Sequence, residues 1–130
     1  MEVTLPDLKC RSKLASMSNF TSVWLPGSKQ DVRILKLSGP FTLAAVFDFQ
    51  AEIRKDPPRV LILDLAGVPY MDSASLGSIL GLHVSCRKEG RHYAMVGVSD
   101  RLKTLFKVSG VDGLLSIYPS VAEAEVGLGK

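Results

Sequence analysis

Asp72, Ser73 and Ser75 are the residues whose types and spacing come nearest to a chemical site in this chain. They fall in VPYMDSASLGSIL, Val68 to Leu80, where a run that reads as a buried strand gives way to an amphipathic helix. A nucleophilic serine needs a base beside it, and no histidine, lysine or metal-ligand cluster accompanies these three. Two roles fit the residues that are there. Asp and Ser cap helices, because their side-chain oxygens accept from the free N–H groups of the first turn. Alternatively, Ser73 is a modification site, since a helix N-terminus offers unpaired donors and the positive end of a dipole and can host a phosphate. A phosphoserine there adds about two negative charges beside Asp72 and would repel or block a partner docking on this helix.

The rest of the chain offers no catalytic constellation. There is no G-x-x-x-x-G-K-[ST] phosphate loop and no G-x-S-x-G nucleophile elbow. Neither His83 nor His92 has an evident nucleophile partner. His83 and Cys86 share H-x-x-C spacing on one helix, but two ligands do not make a zinc site, and His83 reads as a residue at the edge of a packed face. A receiver-type phospho-acceptor would want an early acidic pair, and none precedes Asp64. The expectation is a protein that is not an enzyme, with no catalytic residue, no metal and no cofactor.

The elements that must position Asp72 and Ser73 follow from period and punctuation. TSVWLP leans to strand, GSKQD is a turn, and VRILKLSG alternates as a half-buried strand does, so these form an antiparallel hairpin. In TLAAVFDFQAEIRK the period changes: Leu43, Val46, Phe47, Phe49 and Ile53 make a broad helical face, Thr42 is placed to cap it, and Asp56-Pro57-Pro58 ends it. RVLILDL is nearly all apolar, as a central strand covered on both faces is. The next helix carries Leu76, Ile79, Leu80 and Val84 on one side and stops at Gly90. HYAMVGV is a strand and SDRLKTLFKVSG a helix with Leu102, Leu105 and Phe106 inward. LLSIY is the last strand, and PSVAEAEVGLG, with Ser120 and Glu123 in capping-box spacing, the last helix. The order reads as α/β: a mostly parallel sheet of about five strands with an N-terminal antiparallel hairpin and about four helices. In such sheets function collects at loops after the strand C-termini, where Asp72 and Ser73 lie.

Composition sets the outer bounds. The chain has 130 residues, 46% hydrophobic and 22% charged, with a net charge of +3, which is the balance of one soluble domain. That charge is too small to argue for nucleic acid. It is unevenly spread: Arg87, Lys88, Arg91, Arg101, Lys103 and Lys107 face only Glu89 and Asp100, which reads either as a partner-steering patch or as solvated helix ends. Cys10 and Cys86 are too far apart for a redox or metal pair. The start lacks the apolar core of a secretory signal and no run is long enough to span a bilayer, so the expected location is the cytoplasm.

VLILDLAGVPYMDSASLGSILGLHVSCRKEG resembles the signature of STAS domains, and specifically of bacterial anti-sigma factor antagonists. Those carry a hydrophobic strand, a short loop and M-D-S-S-G-L-G leading into a helix; here the run is Met71-Asp72-Ser73-Ala74-Ser75-Leu76-Gly77. VSDRLKTLFKVSGVDGLLSIYPS is similar to the family's second landmark, so the resemblance runs from about Phe20 to Leu128. It implies a STAS domain over residues 20–130 after an N-terminal extension over residues 1–19. It also implies a non-catalytic switch. Unphosphorylated, such a protein binds an anti-sigma factor of serine-kinase type; the kinase phosphorylates the serine after the Asp, the antagonist lets go, and a serine phosphatase resets it. Carried over by position, Ser73 is the acceptor, and Asp72, Ser73, Ser75, Leu76, Gly77 and Thr42 belong to the partner-binding surface. The chain departs from the family in two places: Thr42 stands where an acid is usual, and Ser75 where a glycine is usual before Leu-Gly. The alternative is a structural STAS subunit of a stress-signalling or lipid-transport assembly, with no phosphorylation. Neither reading involves direct contact with nucleic acid or a membrane span.

Overall fold

The computed structural model describes residues 20–128, so the expected extension over residues 1–19, with Cys10, lies outside the described residues. The hairpin comes first: β1 (Thr21–Pro26) runs antiparallel to β2 (Val32–Ser38), with Trp24 opposite Leu35. Then α1 (Leu43–Lys55), β3 (Val60–Gly67), α2 (Ser73–Glu89), β4 (His92–Val96), α3 (Asp100–Val108), β5 (Ile117–Tyr118) and α4 (Val121–Leu128) follow. The strands lie in the order β1-β2-β3-β4-β5, and every pairing after the hairpin is parallel. This is the expected α/β architecture, although the expected last strand shrinks to Ile117–Tyr118.

Side-chain alternation along the strands builds two cores. Leu35, Leu37, Leu61, Leu63, Leu65, Tyr93 and Met95 face one side. There they meet Val46, Phe49 and Ile53 of α1, Leu76, Ile79 and Leu82 of α2, and Leu102 and Phe106 of α3. Val32, Ile34, Val60, Ile62, Ala94 and Val96 face the other side, covered by Ala124 of α4. β3 is central and buried on both faces, which is why its sequence shows no alternation of apolar and polar residues.

The helical faces are narrower than their apolar content suggested. Leu43 and Phe47 of α1, expected inward, are 59% and 75% exposed, and Val84 of α2 is 61% exposed. At about 100° per residue, the stripe of Ala45, Val46, Phe49 and Ile53 already fills the side of α1 that meets the sheet, and positions 43 and 47 fall beyond it.

Two further devices shape the edge where the strands end. Residues after β2 and β3 keep pairing past the regular sheet through an isolated parallel bridge between Phe41 and Met71. Phe41 N–H donates to the Tyr70 carbonyl at 3.1 Å, and Asp72 N–H donates to the Phe41 carbonyl at 3.3 Å. Gly97, after β4, has φ +69°, and a Cβ there would lie 2.8 Å from the Ala66 backbone nitrogen. Glycine therefore lets this turn close directly onto the end of β3.

Candidate functional site: the mouth of helix α2

The bridge between Phe41 and Met71 holds the loop before α1 against the loop before α2. One side chain exploits that proximity. Asp72 Oδ1 accepts from Ser75 N–H at 2.9 Å, capping α2, and Asp72 Oδ2 accepts from Leu43 N–H at 3.0 Å, capping α1. A single carboxylate thus satisfies first-turn donors of two helices whose starts are thirty residues apart in sequence. Thr42 occupies the capping position of α1 in extended backbone, but its side chain makes no capping bond, which corrects the expectation for it. The acid across the bridge has taken that role.

Ser75 completes a reciprocal capping box. Its hydroxyl accepts from Asp72 N–H at 3.1 Å and donates to the Asp72 carbonyl at 2.9 Å. The residue is 0% exposed, and Ser78 Oγ donates to its carbonyl at 2.6 Å. Where a glycine is usual, this chain has a hydroxyl that locks the first turn from beneath. The Asp-x-x-Ser spacing at 72–75 carried that signal in the sequence, as Ser120-x-x-Glu123 did for α4.

Burial pushes the Asp72 carboxyl upward, but the Ser75 and Leu43 amides, the Ser75 hydroxyl and the Ala74 amide outweigh it. The net effect holds Asp72 below the ordinary carboxylate range, as charged-form hydrogen bonding does. Ser73, the next residue, opens α2 and is exposed. Its hydroxyl has no hydrogen-bond partner among the described residues. The two serines are therefore separated by environment: one is spent in the cap, and the other faces solvent at the helix's positive end.

Of the residues expected on the partner-facing surface, Ser73 and Gly77 are exposed, and Asp72 and Thr42 are half-buried. Ser75 and Leu76, at 0% and 5% exposed, lie on the core side of the helix. What sequence reasoning missed is the apolar surround. Leu43 and Phe47 stand exposed one turn apart on α1, and Tyr70, 40% exposed, lies just ahead of Asp72. The Arg101 guanidinium sits 5.5 Å from the centroid of the Tyr70 ring, a cation–π contact that brings the start of α3 to the same edge. The signal was there in α1, whose apolar residues run around more of the helix than one sheet face can bury.

The basic stretch divides. Arg101, Lys103 and Lys107 are exposed on α3, while Arg87 and Lys88 lie at the far end of α2, about 22 Å from its mouth by helix rise. His83 is placed as expected at the packed edge, with Nδ1 2.9 Å from the Tyr93 hydroxyl. Cys86 is a buried free thiol, raised by burial above its ordinary range. Among the described residues no group of three or more potential ligands could hold a metal, and no helix is long and apolar enough to cross a membrane.

Known proteins are similar to this chain to different depths. An anti-sigma-B factor antagonist of Staphylococcus aureus is 29% identical over 77 residues, 59% of this chain and 71% of that protein. Among solved structures, an anti-sigma factor antagonist from Mycobacterium paratuberculosis superposes with a TM-score of 0.73 at 19% identity, covering 85% of this chain and 95% of that one. The Bacillus cell fate determinant SpoIIAA in its phosphorylated form gives a TM-score of 0.64 at 17% identity, covering 85% and 100%. At those identities the superpositions speak to the fold. The sequence profile of the STAS domain matches residues 27–124, from the β1–β2 turn into α4 and across the whole mouth of α2, and this chain belongs to the STAS domain family.

Proposed function

We propose that the protein is an anti-sigma factor antagonist switched by phosphorylation of Ser73. Unphosphorylated, it docks on an anti-sigma factor of serine-kinase type in the cytoplasm. The kinase moves the γ-phosphoryl group of ATP onto Ser73 Oγ: the O–P bond forms, ADP leaves, and the hydroxyl proton passes to a base of the kinase. A serine phosphatase reverses the change by hydrolysis. This chain supplies the acceptor and the docking surface, and no catalytic group of its own.

The observation that carries the reading is the contrast between two hydroxyls two residues apart. That of Ser75 is buried and committed to the cap, whereas that of Ser73 is exposed and uncommitted. On this reading Ser73, Gly77, Thr42, Leu43 and Phe47 make the contact, with Phe47 as the apolar anchor. Asp72, Ser75 and Leu76 act from beneath by fixing where α2 begins. Phosphate on Ser73 would set about two negative charges beside a carboxylate already held ionised, so the docked state is lost by repulsion without any unfolding.

The test is incubation with the cognate kinase and ATP, followed by mass spectrometry. Phosphate is expected on Ser73 and absent from Ser75. Ser73→Ala should bind the partner without being released, and Ser73→Asp should bind more weakly. Equal binding by the two variants, or phosphate on Ser75, would defeat the proposal. A chain that takes no phosphate and instead co-purifies in a fixed complex would favour the structural-subunit reading.

A further inference from the structure

Residues 1–19 are attached at the edge that carries Ser73. Phe20, the first described residue, is buried, and its ring stacks on that of Phe41 with 5.1 Å between centroids. Phe41 is the residue bridged to Met71, and Ser73 follows Met71 by two positions. Thr21, which opens β1, pairs with Ser38 at the end of β2. Phe20 is therefore an anchor, and it tethers the preceding segment beside the mouth of α2. That edge presents apolar surface at Leu43, Phe47 and Tyr70, while Arg101, the cation that reaches it through α3, lies against the Tyr70 ring. The segment carries the complements of both an apolar patch and an anion. Lys9, Arg11 and Lys13 alternate with Cys10 and Ser12, and no acid occurs between Asp7 and Asp31. Leu8, Leu14 and Met17 stand around these bases. From Lys13 to Phe20, extended chain spans at most about 25 Å. That covers the ring contact, the bridge and the two residues that separate Phe20 from Ser73.

We propose that residues 8–17 close over the mouth of α2 when Ser73 carries phosphate. Lys9, Arg11 and Lys13 would meet the phosphate, and Leu8, Leu14 and Met17 would lie on Leu43 and Phe47. The inference rests on Ser73 being the modified residue and adds what its phosphate recruits. Charge sets the order of events. Before modification the three bases face only Asp72, whose carboxylate already accepts from the first turns of two helices. Afterwards they face about three negative charges, and an arginine meets a phosphate by charge-assisted hydrogen bonds. Tethering through Phe20 holds the segment at an effective concentration in the millimolar range, so individually weak contacts suffice. The phosphate then does more than repel a partner: it draws the chain's own segment across the apolar part of the docking face.

The test uses the full ¹⁵N-labelled chain with a nitroxide on Cys10, which sits between Lys9 and Arg11. Cys86 is buried in the core, and Cys10→Ser treated in the same way gives the reference. Phosphoserine is incorporated at position 73 during synthesis, with no kinase involved, so failure of closure and failure of the kinase assay are read separately. The nitroxide should broaden the Leu43, Phe47 and Gly77 amide resonances about twofold more, or beyond, in the phosphorylated chain than in the unmodified one. Salt at about 1 M, where the screening length falls to about 3 Å, should remove the difference. Lys9→Gln, Arg11→Gln and Lys13→Gln combined should do the same. Equal broadening with and without phosphate, or a difference that survives the triple substitution, would overturn the closure. Nitroxide-bearing ¹⁴N chain mixed with ¹⁵N chain lacking the nitroxide should broaden nothing. Broadening in that mixture would make a second copy the occupant and overturn closure within one chain.

Discussion

Helices α2 and α3 begin at the same edge of the sheet, each after a parallel strand, and their first residues are built to opposite ends. The mouth of α3 is ordinary: Ser99 Oγ accepts one bond, from Leu102 N–H at 3.2 Å, and the next residue is Asp100, a standing negative charge at the dipole's positive end. The mouth of α2 is over-determined in its cap, and its charge sits in that cap, on Asp72, rather than in the first turn. Asp72 satisfies donors of two helices and Ser75 returns the bond, yet the first helical position is a neutral serine and the first turn holds no acid. α3 carries by sequence a first-turn charge, on Asp100, that α2, beyond the Asp72 of its cap, would acquire only by modification. The lesson is that a charge can be made conditional only where the cap does not need it.

Four experiments would break or sharpen this contrast. The largest effect should come from removing the ground both mouths stand on. Leu63 is 0% exposed in β3, and Leu63→Asp buries an unpaired carboxylate, so more than about 4 kcal/mol of stability should be lost. A soluble variant with a cooperative melt near that of the wild type would discredit the central place of β3.

Next comes the difference between the caps. Asp72→Ala leaves donors of two helices unmet and should cost about 2 kcal/mol, against about 1 kcal/mol for Ser99→Ala, both read from urea denaturation. Equal losses would mean that the bond from Leu43 contributes nothing.

The third concerns acid. Asp72 is held below its ordinary range in the folded chain, so its contribution is fully present above about pH 4, the unfolded value, and is lost as pH falls through the lower folded value. Asp72→Asn, which keeps an accepting oxygen, should flatten the acid limb of the stability curve relative to wild type. An unchanged limb would locate the pH dependence elsewhere.

The smallest effects are the exchange of charges. Asp100→Ser should cost about 0.3–1 kcal/mol, less in high salt. Ser73→Asp should fall within about 0.5 kcal/mol of wild type, because attraction to the dipole is offset by repulsion from Asp72. A large gain from Ser73→Asp would show that the first turn of α2 wanted charge all along.

The order of elements was legible because period and punctuation are local. Proline after Asp56, the switch from alternation to helical spacing at Thr42, and glycines at the ends of α2 and α3 each act within a turn or two of chain. The position of Ser73 at a helix mouth was legible for the same reason. The bond from Leu43 to Asp72 was not, since it exists only once β2 and β3 lie side by side and the bridge from Phe41 to Met71 extends them. The exposure of Leu43 and Phe47 was hidden for a different reason. Residue type reports what a side chain would gain by burial, but the width of the sheet face beneath decides how many can be buried. Burial of Ser75 was half legible, from spacing alone.

The bridge from Phe41 to Met71 also sets a clock. Hairpin closure between β1 and β2 involves near neighbours in sequence, whereas β2 and β3 pair across the whole of α1, a longer loop to close and a slower event. Asp72 can reach Leu43 only after that event, so the two-helix cap forms later than the hairpin. A chain still waiting for it has Ser73 in its sequence but not at a built helix mouth, and whatever recognises the finished edge thereby reads the maturity of the molecule.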